Sequence, residues 1–84
     1  MTIKVRFFAA LRESLGIDSL DVPSPANSDL SGLLEHIRRR LGDAAVDALC
    51  APDIRVALNR EFVVGECVVT DGDEIAFMPP ITGG

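Results

Sequence analysis

One amphipathic helix dominates the sequence. Five apolar residues recur there with the spacing i, i+3, i+4, i+7 and i+11: Leu30, Leu33, Leu34, Ile37 and Leu41. Ser28 precedes this stripe as the predicted N-cap, with Asp29 in the first turn, and Gly42 follows it as the predicted end. A helix with one apolar face needs one apolar surface to cover it. The economical partner is a single sheet whose strands each have one apolar face.

Short segments of alternating or β-prone residues predict the strands of that sheet. They cover residues 3–8, 19–22, 55–59, 62–64 and 74–78. A short helical turn at 9–15, closed by Gly16, connects the first two strands, which we expect to pair as a hairpin or near-hairpin. Residues 43–50 are weakly helical. This order predicts an α+β fold with a mixed sheet packed on one main helix, and we expect residues 1–84 to form one domain.

Length and charge exclude several classes of function. The 84 residues suffice for one core, and 8 Lys+Arg against 13 Asp+Glu give a net charge of −5. That sign is wrong for a protein that binds nucleic acid through its phosphates. The apolar runs are too short to span a bilayer, so we expect a cytoplasmic protein without membrane contact. The basic run 38–40 falls in the predicted last turn of the helix, where cations stabilise the helix end.

The side chains do not form a recognisable catalytic or metal-binding set. His36, the single histidine, lies beside the apolar stripe without a supporting Cys or Ser. Cys50 and Cys67 lack a metal-binding spacing, and we predict two small buried thiols. The acidic residues at 71–74 include the Asp71-Gly72 pair, which is typical of a turn. We therefore expect no metal site and no bound cofactor.

The segment after the last strand, residues 79–84, has an unusual composition. Pro79 and Pro80 fix φ near −65° and direct the chain into an extended path. Ile81 and Thr82 are β-branched and also favour extension. We predict an extended tail that points away from the body of the domain.

The tail ends in two glycines, Gly83 and Gly84. A backbone without Cβ atoms can enter a channel too narrow for other residues. A carboxylate at Gly84 is an anion near neutral pH and a poor electrophile, so it needs activation before a nucleophile can attack it. We expect a second protein to convert it into a mixed anhydride with a nucleotide, which a sulfur or nitrogen nucleophile then displaces.

Three stretches form a specific set: VRFFAALRE at 5–13, DGDEIAF at 71–77 and PPITGG at 79–84. Together they resemble the small subunit of molybdopterin synthase, the MoaD family. The resemblance covers essentially the whole chain and implies a β-grasp, ubiquitin-like fold. It also implies that Gly84 is adenylated by a MoeB-type activating enzyme, which uses ATP, and then receives sulfur from a donor protein as a thiocarboxylate.

The same resemblance implies what the loaded tail does. Residues 80–84 would enter the active site of a MoaE-type large subunit, which catalyses sulfur transfer to cyclic pyranopterin monophosphate in molybdenum cofactor biosynthesis. The small subunit would be a non-catalytic sulfur carrier within a complex of two small and two large subunits. A thiocarboxylate suits this task because sulfur is a soft, polarisable nucleophile.

Strand alternation predicts a docking patch beside the tail. If Ile3, Val5 and Phe7 of the first strand and Ile75 and Phe77 of the last strand face the helix, then an outward-facing set remains on the sheet: Phe8, Ala57, Ala76 and Met78. In a β-grasp sheet the first and last strands are neighbours, so Phe8, Ala76 and Met78 should form an apolar patch for the large subunit. The alternative is that Phe8 packs beneath its own loop.

Three other functions fit part of this sequence. A thiazole-synthesis carrier of the ThiS type shares the fold and the Gly-Gly end, although such chains are usually shorter in the middle. A ubiquitin-like modifier would transfer its activated glycine to a lysine amine. A plain interaction module would use the tail for no covalent chemistry, and deleting Gly84 would then be harmless.

Overall fold

The computed structural model describes residues 2–23 and 27–79. The elements of those residues follow in the order β1 (Thr2–Phe7), α1 (Ala10–Leu15), β2 (Ser19–Pro23), β3 (Asn27–Asp29), α2 (Leu30–Leu41), α3 (Asp43–Leu49), β4 (Arg55–Leu58), β5 (Glu61–Val63), β6 (Val68–Thr70) and β7 (Glu74–Met78). All five predicted strands are present, with bounds within one residue of the expected ones. No helix in the described ranges is long and apolar enough to cross a membrane.

Five strands form one mixed sheet in the order β2-β1-β7-β4-β5. β1 pairs antiparallel with β2, which confirms the predicted near-hairpin, and parallel with β7. β7 also pairs antiparallel with β4, and β4 continues into β5 through a two-residue turn at 59–60. The first and last strands are therefore neighbours, with β7 at the centre of the sheet. Pro79 comes directly after β7, where its missing N–H removes no bond from the ladder.

The apolar stripe of α2 packs on one face of this sheet. Leu33 and Ile37 are at most 1% exposed, and the other stripe residues are partly buried against the same core. The sheet contributes the residues predicted to face the helix: Ile3, Val5, Phe7, Ile75 and Phe77. Each large apolar side chain buried in this way contributes about 1.5–3 kcal/mol, so the contact between α2 and the sheet stabilises the fold.

The N-cap of α2 is Asp29, so the prediction of Ser28 as the N-cap is wrong. The Asp29 carboxylate accepts a hydrogen bond from the Gly32 amide N–H at 2.7 Å, and its backbone is extended with φ −95° and ψ 174°. Ser28 lies inside β3, where it pairs with Val69, and Asp29 is the last residue of that strand. Both residues are good capping residues, so their order in the sequence could not distinguish them. The N-cap of α2 therefore lies one residue later than predicted.

The small sheet formed by β3 and β6 was not predicted. Asn27 to Asp29 pair antiparallel with Val68 to Thr70. Asn27 to Asp29 have low β propensity and show no alternating pattern, so no sequence signal indicated this pairing. This ladder ties the start of α2 to the segment before β7, and the Leu30 amide N–H donates to the Cys67 carbonyl oxygen at 3.0 Å.

Two predictions about side chains outside the core have different outcomes. Both cysteines are free thiols, but Cys50 is exposed and Cys67 only partly buried, so the prediction of two buried thiols is wrong. Cys50 follows the last buried turn of α3 as its C-cap, which leaves its side chain in solvent. The basic run does end α2 as predicted, and Arg38 bonds Glu35 at 2.7 Å and Asp43 at 3.1 Å.

Candidate functional site

The predicted tail begins where the central strand of the sheet ends. Its predicted functional residues, Pro80, Ile81, Thr82, Gly83 and Gly84, lie outside the described residues. Pro79 is the last described residue and follows Met78 directly at the end of β7. The site that can be described is therefore the surface around the end of β7, from which the tail continues.

Phe8 lies beside that end because β1 and β7 are parallel and in register. Phe7 is opposite Phe77, and the Phe8 amide N–H donates to the Phe77 carbonyl oxygen at 3.2 Å. Ala9 then turns the chain away from the sheet with φ 52° and ψ −126°, and α1 begins at the next residue. A positive φ is unfavourable for alanine, so the surrounding contacts hold this turn in place.

The outer face of the sheet, opposite α2, carries the predicted patch. Register places Ala76 opposite Ala57 on β4, and Ala57 opposite Phe62 on β5. Phe8, Ala57, Phe62, Ala76 and Met78 line one shallow pocket of about 260 Å³. Phe8, Ala76 and Met78 therefore share one surface, and the alternative in which Phe8 packs beneath its own loop is not what the structure shows.

The residues of this pocket differ in exposure. Ala76 is only 9% exposed and Ala57 only 3%, so these small side chains form the floor. Phe8 and Met78 are half-buried at its sides. Small residues at the centre of the sheet let larger flanking side chains fold over them, which is why a residue that faces outward is still almost buried. The result is a concave apolar surface.

Phe62 is a member of this surface that sequence reasoning missed. It is 65% exposed, one of three exposed large hydrophobic residues in the described ranges. The signal that could have identified it is the turn at 59–60. A two-residue hairpin turn fixes the register of the strands on both sides, and that register puts Phe62 on the same face as Ala57.

Charged groups border the apolar pocket. Arg6, Arg60 and Glu74 complete its lining. The Arg6 guanidinium carbon lies 5.2 Å from the centre of the Phe8 ring, and that of Arg55 lies 6.0 Å from the centre of the Phe62 ring. Both distances are within the range of a cation–π contact. The half-buried ring of Phe8 and the exposed ring of Phe62 therefore each contact an arginine.

Among the acidic residues at 71–74, Asp73 is held in a hydrogen-bond network within the fold. The Asp73 carboxylate accepts bonds from the Thr70 amide at 2.8 Å, the Thr70 hydroxyl at 3.1 Å and the Asn59 amide at 3.0 Å. The backbone bond from Thr70 is the main cause that holds the pKa of Asp73 below its ordinary value, followed by the Asn59 bond. Asn59 in turn accepts from the Glu74 amide at 2.9 Å. This network joins the turn at 59–60 to the turn before β7.

A second carboxylate stabilises the start of α2. Glu66 accepts bonds from the Ser31 hydroxyl at 2.6 Å and the Ser31 amide at 3.2 Å. The hydroxyl bond is the main cause that lowers the pKa of Glu66 from its ordinary value. His36 is half-buried on α2, and no three His, Cys, Asp or Glu side chains in the described ranges converge as metal ligands. The acids therefore act as hydrogen-bond acceptors within the fold.

Comparison with known proteins assigns the chain to a family. The model of the ThiS family matches residues 5–84. The molybdopterin synthase sulfur carrier subunit of Haemophilus influenzae is 37% identical over 82 residues, which cover 98% of this chain and 99% of that protein. The chain belongs to this family of sulfur carrier subunits. The MoaD resemblance inferred from the three stretches is thereby confirmed.

Solved structures share the fold of this chain. One chain of the Helicobacter pylori complex of subunits 1 and 2 of molybdopterin-converting factor matches with a TM-score of 0.68 and 24% identity. The match covers all of both chains. The small archaeal modifier protein 1 of Methanosarcina acetivorans matches with a TM-score of 0.79 and 22% identity, covering 99% of this chain and 96% of that one. The predicted β-grasp, ubiquitin-like fold is confirmed.

Proposed function

We propose that this chain is the sulfur carrier of a molybdopterin synthase and that the carboxylate of Gly84 carries the sulfur. A MoeB-type activating enzyme adenylates Gly84 with ATP, and a sulfur donor protein supplies the sulfur. The loaded tail then delivers it in a MoaE-type large subunit to cyclic pyranopterin monophosphate. Two findings support this proposal. The chain belongs to the family of sulfur carrier subunits, and the family model matches it through both terminal glycines.

One structural observation carries the docking part of the proposal. β7 contributes Ala76 and Met78 to the apolar pocket and leads directly into the tail through Pro79. A large subunit that covers the outer face would therefore contact the root of the tail at the same time. Residues 80–84 could span at most about 18 Å if fully extended, so the reacting carbon stays within a short reach of the docked face. Phe8, Ala76 and Met78 are the proposed docking residues.

The proposed chemistry assigns each step to a different protein. Attack of the Gly84 carboxylate on ATP forms an acyl adenylate and releases pyrophosphate. Hydrosulfide supplied by the donor then attacks the acyl carbon, the C–O bond to AMP breaks, and AMP leaves with one of the original carboxylate oxygens, so that Gly84 ends in a thiocarboxylate. The described part of this chain presents no histidine or cysteine at the outer face that could act as an acid, base or nucleophile. We therefore place catalysis on the activating enzyme and the large subunit, with no cofactor bound to the carrier.

The proposed assembly contains two carriers and two large subunits in the cytoplasm. The Helicobacter pylori match is a complex of subunits 1 and 2 of the molybdopterin-converting factor, which supports a large-subunit partner. Docking in a tunnel of that partner would keep water away from the thiocarboxylate. The activating enzyme and the sulfur donor are expected to bind the carrier in turn, since one tail cannot occupy two active sites at once.

The test is the intact mass of the chain after incubation with ATP, an activating enzyme and a sulfur donor. We expect a gain equal to the exchange of one oxygen for one sulfur, localised to Gly84. A chain without Gly84 is the control, because deleting one residue moves the reacting carbonyl by about 3.3–3.6 Å. No gain with an activating enzyme that is competent on another carrier would contradict the proposal.

The acceptor of the sulfur separates the remaining alternatives. Transfer to cyclic pyranopterin monophosphate in the presence of the large subunit identifies the proposed function. Transfer only in the presence of a thiazole synthase would identify a ThiS-type carrier. A lysine-linked Gly-Gly remnant on other proteins would identify a modifier. Full activity of the chain without Gly84 would indicate that the protein is a plain interaction module.

A further inference from the structure

The outer face of the sheet is basic, although the chain has a net charge of −5. Arg6 and Arg60 line the apolar pocket, and Arg55 lies beside it over Phe62. Glu74 is the one acidic residue in the pocket lining. The arginines therefore surround a small apolar surface with positive charge, while the acidic excess of the chain lies elsewhere.

These arginines are poorly neutralised by the protein itself. Arg6 approaches Glu74 at 3.9 Å, the outer limit of an ion pair, and both side chains are partly exposed. Within residues 2–23 and 27–79, Arg55 and Arg60 form no ion pair. By contrast, Arg38 on α2 has two acidic partners within 3.1 Å. Arg55 and Arg60 thus place two positive charges without an acidic partner in the described chain at the edge of the pocket.

Arg60 is also kept at a conformational cost. It is the second residue of a two-residue turn, with φ 72°, and Asn59 before it has φ 50°. Hairpin turns with two positive φ values favour asparagine followed by glycine, because a side chain at the second position is strained. The bonds of Asn59 to Asp73 and Glu74 hold the turn in this shape. An arginine where glycine fits best suggests that its side chain has a use on the surface.

We propose that the surface of the large subunit that covers this face carries carboxylates opposite Arg6, Arg55 and Arg60, around an apolar side chain that fills the pocket. This inference rests on the proposed function. Arginine binds carboxylates through paired, charge-assisted hydrogen bonds, and the rings of Phe8 and Phe62 hold two of the guanidinium groups in position. The carboxylates of the large subunit attract the carrier before contact. The apolar side chain in the pocket slows its dissociation afterwards.

The test measures the association rate constant of the full chain with the large subunit at two salt concentrations. The variants are Arg55→Glu and Arg60→Glu, with Arg39→Glu as the matched control. Arg39 is exposed in the last turn of α2, on the opposite side of the sheet, and forms no ion pair among the described residues. All three variants change the net charge by the same amount, so a difference between them reports position.

We expect each of the two face variants to associate about three- to tenfold more slowly than the wild type at about 25 mM salt. The difference should shrink at about 300 mM salt, because exposed charges are then screened beyond a few ångströms. Equal rates for all variants would overturn the proposal, and so would an equal loss with Arg39→Glu, which would indicate a net-charge effect. Complete absence of binding by the wild type would instead contradict the proposed function.

A second variant, Arg60→Gly, separates binding from stability. Glycine removes the strain of the turn, so we expect the melting temperature to rise by a few degrees. Loss of the charge should at the same time slow association at low salt. A variant that is more stable but binds as fast as the wild type would show that Arg60 has no part in docking. A less stable variant would show that Arg60 is kept for folding, and would overturn the argument from strain.

Discussion

The rings of Phe7 and Phe77 stack across the parallel pair β1–β7, with their centroids 6.1 Å apart and their planes at 19°. The two residues are register partners, and both are at most 2% exposed. The first and last predicted strands are therefore joined by side chains in the core as well as by backbone hydrogen bonds. The strand that leads into the tail is anchored at its last buried residue.

Replacing Phe77 by alanine should destabilise the domain strongly. Truncation of a buried phenylalanine typically costs about 3–5 kcal/mol, from lost burial and the cavity that remains. The matched control is Phe62→Ala, whose side chain is 65% exposed and should cost no more than about 0.5 kcal/mol. Urea denaturation followed by circular dichroism measures both. Similar losses for the two variants would contradict the assignment of faces.

Replacing Met78 by aspartate should weaken binding of the large subunit while leaving the fold intact. Met78 lines the apolar pocket and is half-buried, so a carboxylate there would lose its hydration when a partner covers the face. We expect the dissociation constant to rise by at least about tenfold in a calorimetric titration. Met78→Leu preserves the apolar volume and is the control. An unchanged affinity for the aspartate variant would exclude this patch as the docking surface.

Replacing Ala9 by glycine should stabilise the domain. Ala9 has φ 52° and ψ −126°, a backbone conformation that costs an alanine about 1–3 kcal/mol and a glycine much less. Part of that gain is offset by the greater freedom of glycine in the unfolded chain, so we expect a net gain of about 1 kcal/mol. Thermal unfolding measures it. The control Ala44→Gly, in α3, should instead lose up to about 1 kcal/mol.

Stability should fall in acid partly through Asp73. Hydrogen bonds from Thr70 and Asn59 lower the pKa of Asp73 in the folded state, so its contribution is present above its ordinary pKa of 3.8 and is lost as the pH falls through the lower folded value. Asp73→Asn should therefore be less stable than the wild type at pH 7. The two urea midpoints should converge as the pH falls from about 4 toward 2.

The neighbouring acid provides the control for this experiment. Asp71 is exposed in the same turn, and within the described residues its side chain forms no hydrogen bond or ion pair. Asp71→Asn should have the urea midpoint of the wild type at pH 7, because it removes no hydrogen bond of the described residues. If the midpoints of the Asp73→Asn variant and the wild type stay equally far apart at every pH, the carboxylate network does not stabilise the fold.

Most predictions that the structure confirms rest on long or repeated sequence patterns. The stripe from Leu30 to Leu41 predicted α2 with its correct end at Gly42, and alternation predicted the five strands of the main sheet. The patch of Phe8, Ala76 and Met78 followed from parity together with the strand order of a β-grasp sheet. In contrast, the three-residue strands β3 and β6 and the exposed position of Cys50 leave no periodic signal.

What the sequence alone determined is the type of each long element and which of its faces is apolar, because burial depends on the local spacing of side chains. Only the tertiary structure decided that Asp29 rather than Ser28 caps α2, since a distant strand pairs with the capping segment. It also brought Phe62 and three arginines to the face that carries Met78. Those neighbours come from strands far apart in the chain, and long-range pairing has no counterpart in local sequence.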